Sequence, residues 1–222
     1  ESEVEGIRRA IQVCRDTRAP THFCHVSTRG GLELIADAKA EGLPVTCETC
    51  PHYWRLNNDQ FGKLRGRSKM NPALRSQFEM SWVEELISQG VVDVIATDHA
   101  PHEPEKKAKE DYDQCPSGVP GVQTLALMVY ELKARGRISA QRFIDLTSGN
   151  AARIFGLNKG ALSAGKDADI ILIDQNGATC FEDAKMQSKC GWTPFHGALV
   201  NGSIAAVVLG GKVVKELNGA PS

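Results

Sequence analysis

The chain has 222 residues, enough for one ordinary domain or for one domain with a small appendage. Hydrophobic residues make up 41% and charged residues 24%, a globular composition that argues against a fibrous or largely disordered chain. The net charge of −1 gives no electrostatic basis for binding nucleic acid or a membrane, and the apolar runs are far shorter than the roughly 20 residues of a membrane helix.

Helices and strands alternate over roughly the first hundred residues. Apolar residues at helical spacing predict helices at about 4–18, 30–42 and 76–88. Short apolar runs predict buried strands at 21–27, 45–50 and 91–97. This alternation is typical of βα units around a parallel sheet, in which functional groups collect at the carboxyl ends of the strands.

The rest of the chain changes character. A charged stretch at 103–118 predicts a lid-like loop beside the site, and further helices are predicted at 122–135, 140–146 and 151–155. After Gly156, strand patterns with Gly-Gly turns at 165–173 and 205–214 predict a small β module. We therefore divide the chain into a first domain at 1–157 and a C-terminal β module at 158–222.

Seven cysteines are scattered along the chain, an odd number without the pattern of a disulfide framework. Cys47 and Cys50 form one CxxC pair, but no second pair follows to complete a zinc ribbon. We therefore expect reduced thiols in a cytoplasmic protein. No signal peptide opens the sequence, and since it begins at Glu1 inside a predicted helix, we expect the natural N-terminus to lie upstream.

Residues with polar or ionisable side chains stand at the end of each predicted strand of the first domain, at 24–25, 48–52 and 98–102. Asp98 comes after a mostly apolar strand, where a buried charge must be paired or bound to a metal. His25 ends an apolar strand in the same way, so a ligand there is held rigidly above the sheet. Position alone leaves a metal ligand and a hydrogen-bonded structural residue as equally good interpretations of each.

The other histidines carry weaker signals. His99 and His102 flank Ala-Pro in one turn, so one can face the site while the other supports it. His52 is interpreted either as a ligand or as a brace for its loop. His22 is interpreted as outward-facing or structural, and His196 as a neutral surface residue of the C-terminal module.

Four segments carry a family resemblance through their order and spacing: 23–28 (FCHVST), 46–53 (TCETCPHY), 69–75 (KMNPALR) and 96–102 (ATDHAPH). Together they resemble the amidohydrolase superfamily and, within it, the cyclic amidohydrolases, which comprise dihydroorotases, hydantoinases and allantoinases. Three segments favour the dihydroorotase branch: 70–72 (MNP), 116–124 (PSGVPGVQT) and 189–195 (KCGWTPF). Ala73 departs from the second proline that is usual after Asn-Pro.

The resemblance implies an α/β fold, namely the C-terminal part of a (β/α)₈ TIM barrel (about strands 6–8) followed by the β module. It also implies two zinc ions, which lower the pKa of a bound water until a nucleophile exists near neutral pH. By resemblance, His25 ligates one zinc. Asp98 touches the other and transfers the proton between hydroxide and the ring nitrogen. Cys24 and Glu48 stand beside the metals and are given little weight as ligands.

For substrate binding the resemblance implies Asn71 and His102, together with the backbone near Pro116 and Gly118. The implied reaction is the reversible zinc-dependent cyclisation of N-carbamoyl-L-aspartate to L-dihydroorotate in pyrimidine biosynthesis. The implied partners are this small substrate and, for a full-length protein, a second copy or other enzymes of the pathway.

Two alternatives stay open: a hydantoinase or allantoinase, and a non-catalytic assembly subunit. Intact His25, Asp98 and Asn71 argue against the subunit, since a scaffold has no need of buried ligands. The family's strands 1–5, with the His-x-His pair and a bridging carboxylated lysine or aspartate, are not among the 222 residues. We therefore expect the chain to be inactive by itself.

Overall fold

The computed structural model describes residues 1–109 and 111–216, and spatial contacts divide the chain into two compact units. The first unit comprises 1–125 and 182–196, and the second comprises 126–181 and the residues from 197 onward. The domain boundary predicted at 157 lies inside the second unit, which begins at residue 126. The segment 182–196, predicted as part of the C-terminal module, is grouped with the first unit. That boundary stays a prediction about the organisation of the sequence.

The first unit contains a parallel sheet of three strands in the order β1 (Thr21–Phe23), β2 (Val45–Thr49) and β3 (Val94–Ile95). Thr21 lies opposite Val45, and Glu48 lies opposite Val94. The parallel βα arrangement is confirmed. The first and third strands are shorter than predicted: they end at Phe23 and Ile95, shortly before His25 and Asp98, whose φ angles are positive, and the third begins only at Val94.

Helices of the first unit are α1 (Ser2–Thr17), α2 (Arg29–Ala40), α3 (Pro51–Arg55), α4 (Phe61–Leu64), α5 (Gln77–Ser88) and α6 (Pro104–Lys107). The three predicted helices correspond to α1, α2 and α5. Thr28 and Ser76 cap the last two, each accepting a hydrogen bond from a backbone N–H in the first turn. The short α3 was not predicted, because Pro51 was interpreted only as the end of a strand, although proline suits the first position of a helix.

The two faces of β2 differ in a way that places the site. Val45, Cys47 and Thr49 are buried, whereas Thr46 and Glu48 on the opposite face are partly exposed. Apolar side chains of α1, α2 and α5 are buried in the same unit, including Ile11, Leu32, Ile35, Val83 and Ile87. One face of the sheet therefore belongs to the core, and the other presents polar side chains.

The second unit contains most of α7 (Leu125–Ala134), then α8 (Ala140–Ile144), a π turn (Asp145–Gly149) and α9 (Asn150–Phe155). Its antiparallel sheet has the order β4 (Ile170–Cys180), β5 (Leu199–Leu209) and β6 (Lys212–Glu216). Gly210 and Gly211 turn the chain between β5 and β6 with positive φ angles of 56° and 78°. In the described part of the chain, no helix is both long and apolar enough to span a bilayer.

Candidate active site

His25 and Asp98 share an unusual backbone conformation at the carboxyl end of the parallel sheet. Their φ angles are 41° and 45°, values that few non-glycine residues adopt. A backbone hydrogen bond to β2 stands next to each of these turns. After His25, Val26 N–H donates to the Glu48 carbonyl at 2.9 Å, and before Asp98, Ala96 N–H donates to the Thr49 carbonyl at 2.9 Å. Strain of this kind persists where the surroundings fix a side chain for a task, which favours a functional role for both residues.

The turn after His25 is anchored by a carboxylate from α1. Glu3 accepts hydrogen bonds from the hydroxyls of Ser27 and Thr28 at 2.5 and 2.6 Å and from their backbone N–H groups at 3.1 and 2.9 Å. Arg75 Nε donates to the Ser27 hydroxyl at 3.0 Å. The His25 turn is therefore tied to the end of the segment that carries Asn71.

Two buried imidazole nitrogens lack a partner among the described residues, His25 Nδ1 and His52 Nε2. An unsatisfied buried polar atom costs about 1–3 kcal/mol, so an additional ligand at these nitrogens is expected. Burial, with a smaller contribution from the charge of His25, lowers the pKa of His52 to about 3. Its neutral ring packs edge-on against Tyr53, with centroids 4.2 Å apart, in keeping with its interpretation as a brace.

Asp98 and Glu48 influence two neighbouring thiols. Partial burial, followed by the charges of Glu48 and Asp98, raises the pKa of the Cys24 thiol. Burial, followed by the same two carboxylates, raises the pKa of the Cys50 thiol well above its usual value. Both shifts favour the protonated thiol over the nucleophilic thiolate. All seven cysteines are free.

His22, Cys24 and Glu48 form a group that the sequence did not predict as a unit. Their ligand-type atoms all lie within 4.8 Å of one another. His22 Nε2 lies 3.2 Å from Glu48 Oε2, and His22 Nδ1 lies 2.8 Å from the Thr46 hydroxyl. Imidazole, thiol and carboxylate are all donors that zinc accepts. The signal in the sequence was the period-two spacing of polar residues on two adjacent strands.

The predicted substrate-binding residues His102 and Gly118 lie together. His102 Nε2 is 2.9 Å from the Ser117 carbonyl, and because a carbonyl only accepts, Nε2 carries the hydrogen of this bond. Trp192 Nε1–H donates to the His102 carbonyl at 2.8 Å. Gly118 has a φ of 128°, and a Cβ there would lie 2.5 Å from the Ala100 carbonyl oxygen, so only glycine fits.

Asn71 lies on an exposed turn whose two flanks are fixed. The Lys69 carbonyl accepts a hydrogen bond from Gly118 N–H at 2.9 Å, and the Pro72 carbonyl accepts one from the Tyr53 hydroxyl at 2.9 Å. Burial raises the pKa of Tyr53, and the charge of Asp98 acts in the same direction. Within the described residues the Asn71 amide makes no hydrogen bond, which leaves it available to a ligand.

The two remaining histidines support loops. His99 Nδ1 accepts a hydrogen bond from Gly121 N–H at 3.0 Å, which suits a supporting role beside the site. His196 is exposed, and its Nδ1 accepts from Asp183 N–H at 3.1 Å. Its place in the C-terminal module was predicted from sequence position, whereas spatial contacts group residues 182–196 with the first unit.

Comparisons with known proteins agree on one family for this chain. The model described as "Amidohydrolase family" matches residues 4–214. A curated dihydroorotase from Geobacter metallireducens is 37% identical over 213 residues, which cover 96% of this chain and 50% of the relative. A dihydroorotase from Halobacterium salinarum is 40% identical over 198 residues, covering 89% of this chain and 46% of the relative. The chain spans about half the length of the curated relatives it matches.

Solved structures of related enzymes resemble the chain closely. A dihydropyrimidinase from Brevibacillus agri has a TM-score of 0.91 at 27% identity, over 96% of this chain and 48% of that structure. An L-hydantoinase from Arthrobacter aurescens has a TM-score of 0.91 at 29% identity, with the same coverage.

Proposed function

The chain belongs to the amidohydrolase family and has its α/β fold, and from that premise we propose that it supplies about strands 6–8 of a (β/α)₈ barrel with dihydroorotase activity. The β4–β6 sheet would be the β module that follows the barrel. The reaction is the reversible hydrolysis of L-dihydroorotate to N-carbamoyl-L-aspartate, a step of pyrimidine biosynthesis. The observation that carries the proposal is the strained left-handed backbone of His25 and Asp98, which follow the two outer strands of one three-stranded parallel sheet.

The side chains of His25 and Asp98 are of the types that bind zinc. Imidazole and carboxylate are ordinary zinc ligands, and the unpartnered buried Nδ1 of His25 is the kind of atom that a bound ligand would satisfy or orient. Two zinc ions held by these residues and by the missing strands would supply a water of lowered pKa and polarise the scissile carbonyl.

Asp98 is proposed to move the proton. Its carboxylate accepts the proton of the attacking water and delivers it to the ring amide nitrogen as the carbon–nitrogen bond breaks, so the products carry the proton that the water lost. In ring closure the same carboxylate takes the proton from the ureido nitrogen as the carbon–nitrogen bond forms and returns it to the leaving hydroxide, which departs as water. The left-handed turn at Asp98 serves this role by holding the carboxylate in one place above the sheet.

Substrate binding is assigned to Asn71, His102 and the backbone near Pro116 and Gly118. The free amide of Asn71 offers both a donor and an acceptor to a cyclic amide. His102 would use Nδ1, since Nε2 is engaged by Ser117. The full-length protein would work in the cytoplasm, as a homodimer or with other enzymes of the pathway.

A panel of cyclic amides tests the assignment in the full-length protein. We expect kcat/KM for L-dihydroorotate to exceed that for hydantoin, dihydrouracil and allantoin by about 100-fold or more. These three analogues lack the carboxylate of dihydroorotate, so polar groups that bind this carboxylate would be left without a partner. Preference for hydantoin or dihydrouracil would favour the second candidate, a hydantoinase, which the structural neighbours support. No turnover of any of them at saturating zinc would favour the non-catalytic assembly subunit.

Asn71→Ala is expected to raise KM for dihydroorotate by about tenfold while lowering kcat less, since the amide is not ionisable and loses only a binding contact. Steady-state kinetics on the full-length protein measure this. Asn176→Ala removes an equally exposed amide on β4 and serves as the matched control, with unchanged kinetics. An unchanged KM with a large loss of kcat would instead assign Asn71 to the transition state.

A further inference from the structure

Lys107 is a cation buried at the end of α6, with only 1% of its surface exposed. Its Nζ lies 2.8 Å from the Pro116 carbonyl, 2.9 Å from the Gly118 carbonyl and 3.2 Å from the Lys69 carbonyl. An ammonium group has three N–H donors and no acceptor, so three carbonyls satisfy it completely. The ring of Trp192, whose centroid is 5.9 Å away, adds a cation–π contact.

The three carbonyls belong to the two segments that carry the proposed substrate contacts. Pro116 and Gly118 are assigned to the substrate themselves, and Lys69 stands two residues before Asn71. Gly118 N–H also donates to the Lys69 carbonyl. Lys107 is therefore the point at which the 116–118 backbone and the Asn71 turn are joined.

His102 completes this arrangement from the other side. Its Nε2–H is 2.9 Å from the Ser117 carbonyl, so three successive carbonyls, those of Pro116, Ser117 and Gly118, are held alternately by Lys107 and His102. A backbone with every carbonyl engaged has little conformational freedom left to lose when a substrate binds.

The charge of Lys107 calls for an explanation beyond packing. Among the described residues, all three hydrogen-bond partners of its ammonium are neutral carbonyls, and burying an ammonium is costly unless its donors are fully used. An apolar side chain would fill the same space without that cost, but it would leave three buried carbonyls without their donor.

We propose that Lys107 is a positioning residue of the substrate site: it fixes the 116–118 backbone relative to Asn71 in the geometry that binds the cyclic amide. The proposal rests on the proposed function. Lys107 touches no reacting atom in it, so its removal should weaken substrate binding more than it slows the chemistry.

The arrangement also predicts a pH dependence. Burial lowers the pKa of Lys107 to about 8, with Cys115 opposing this shift and the charge of Lys69 adding to it. A neutral amine has only two N–H donors, so one carbonyl would then face its lone pair. Substrate affinity should therefore fall as the pH rises through about 8.

The other ionisable groups around Lys107 are separable from it. Cys115 and Lys69 act on its charge directly, Tyr112 lies under Lys69, and Arg67 lies over the same Trp192 ring. Burial raises the pKa of Tyr112, so this phenol does not ionise near pH 8. Cys115→Ser removes the one thiol of this group and should leave the alkaline rise of KM in place.

The test compares Lys107→Met with Lys106→Met in the full-length protein. Lys106 is the matched control, since its side chain is 60% exposed and pairs with Glu103 at 2.8 Å. We expect Lys107→Met to raise KM for dihydroorotate by about tenfold or more with a smaller change in kcat, and Lys106→Met to change neither. Wild-type KM should rise between about pH 7 and pH 9.5, and this rise should be lost in Lys107→Met.

Each outcome decides something. A folded Lys107→Met protein with wild-type KM and only a lower Tm would show a purely structural role and overturn the proposal. If Lys107→Met does not fold, the pH dependence of the wild type decides instead. A KM that stays constant across this pH range overturns the proposal, and so does an alkaline rise of KM that Cys115→Ser abolishes. If the wild type hydrolyses another cyclic amide and not dihydroorotate, the proposed function falls and Lys107 is tested with that amide. No turnover of any cyclic amide would overturn both.

Discussion

Replacing Asp98 by alanine or asparagine in the full-length protein is expected to lower kcat for dihydroorotate by about 10²–10⁴-fold, the usual contribution of a general acid–base group. Both changes remove the carboxylate that is proposed to take the proton from water and return it to the ring nitrogen. Asparagine keeps the shape of the side chain, so its loss of rate isolates the proton transfer from packing. Steady-state kinetics at saturating zinc, with substrate binding followed by calorimetry, measure the two effects separately.

Two controls accompany the Asp98 variants. Asp37→Asn removes an exposed carboxylate on the outer side of α2 and should leave kcat unchanged. Metal analysis of each variant is needed because Asp98 is also a proposed zinc ligand, and a variant that binds substrate with its zinc retained but turns over slowly fits the proton-transfer role. A loss of less than about tenfold at saturating zinc would contradict that role.

The parallel sheet of the first unit was predictable because its strands are apolar runs separated by amphipathic helices. The lengths of the strands were not predictable in the same way. Apolar composition continues through Val26 and past Val94, but the paired strands end at Phe23 and Ile95, shortly before the left-handed backbone of His25 and Asp98. That conformation depends on hydrogen bonds to β2, which no local pattern reveals.

The candidate site was predictable where a residue type stood at the end of a strand, as with His25 and Asp98. Lys107 was missed because it lies in a charged run and does not differ in type from Lys106. The two lysines are separated only by tertiary packing, which buries one among backbone carbonyls and leaves the other in solvent. The hydrogen bond from Trp192 to the His102 carbonyl was missed for the same reason, since the two residues lie 90 positions apart in the sequence.

The second large expected effect is a loss of turnover and of tight zinc binding when residues 1–222 are tested alone. In the described residues, β1 and β3 each pair only with β2, so both outer edges of this sheet are open to further strands. The opposite face of β2 carries partly exposed Glu48 rather than a packed core. Under the proposed function, His25 and Asp98 together would provide two protein ligands, whereas each zinc usually has about four ligands in all.

A polypeptide of residues 1–222 alone is therefore expected to show less than about 1% of the full-length turnover and to bind no tight pair of zinc ions, because the metal centre lacks most of its ligands. Purified chain is assayed for dihydroorotate hydrolysis and for metal content after zinc is added. Co-expression with the unmatched half of the Geobacter metallireducens relative should restore part of the activity, and Asp98→Ala in this chain should abolish what is restored. Turnover near the full-length value by the chain alone, or two tightly bound zinc ions per chain, would show that these residues form a complete site rather than half of one.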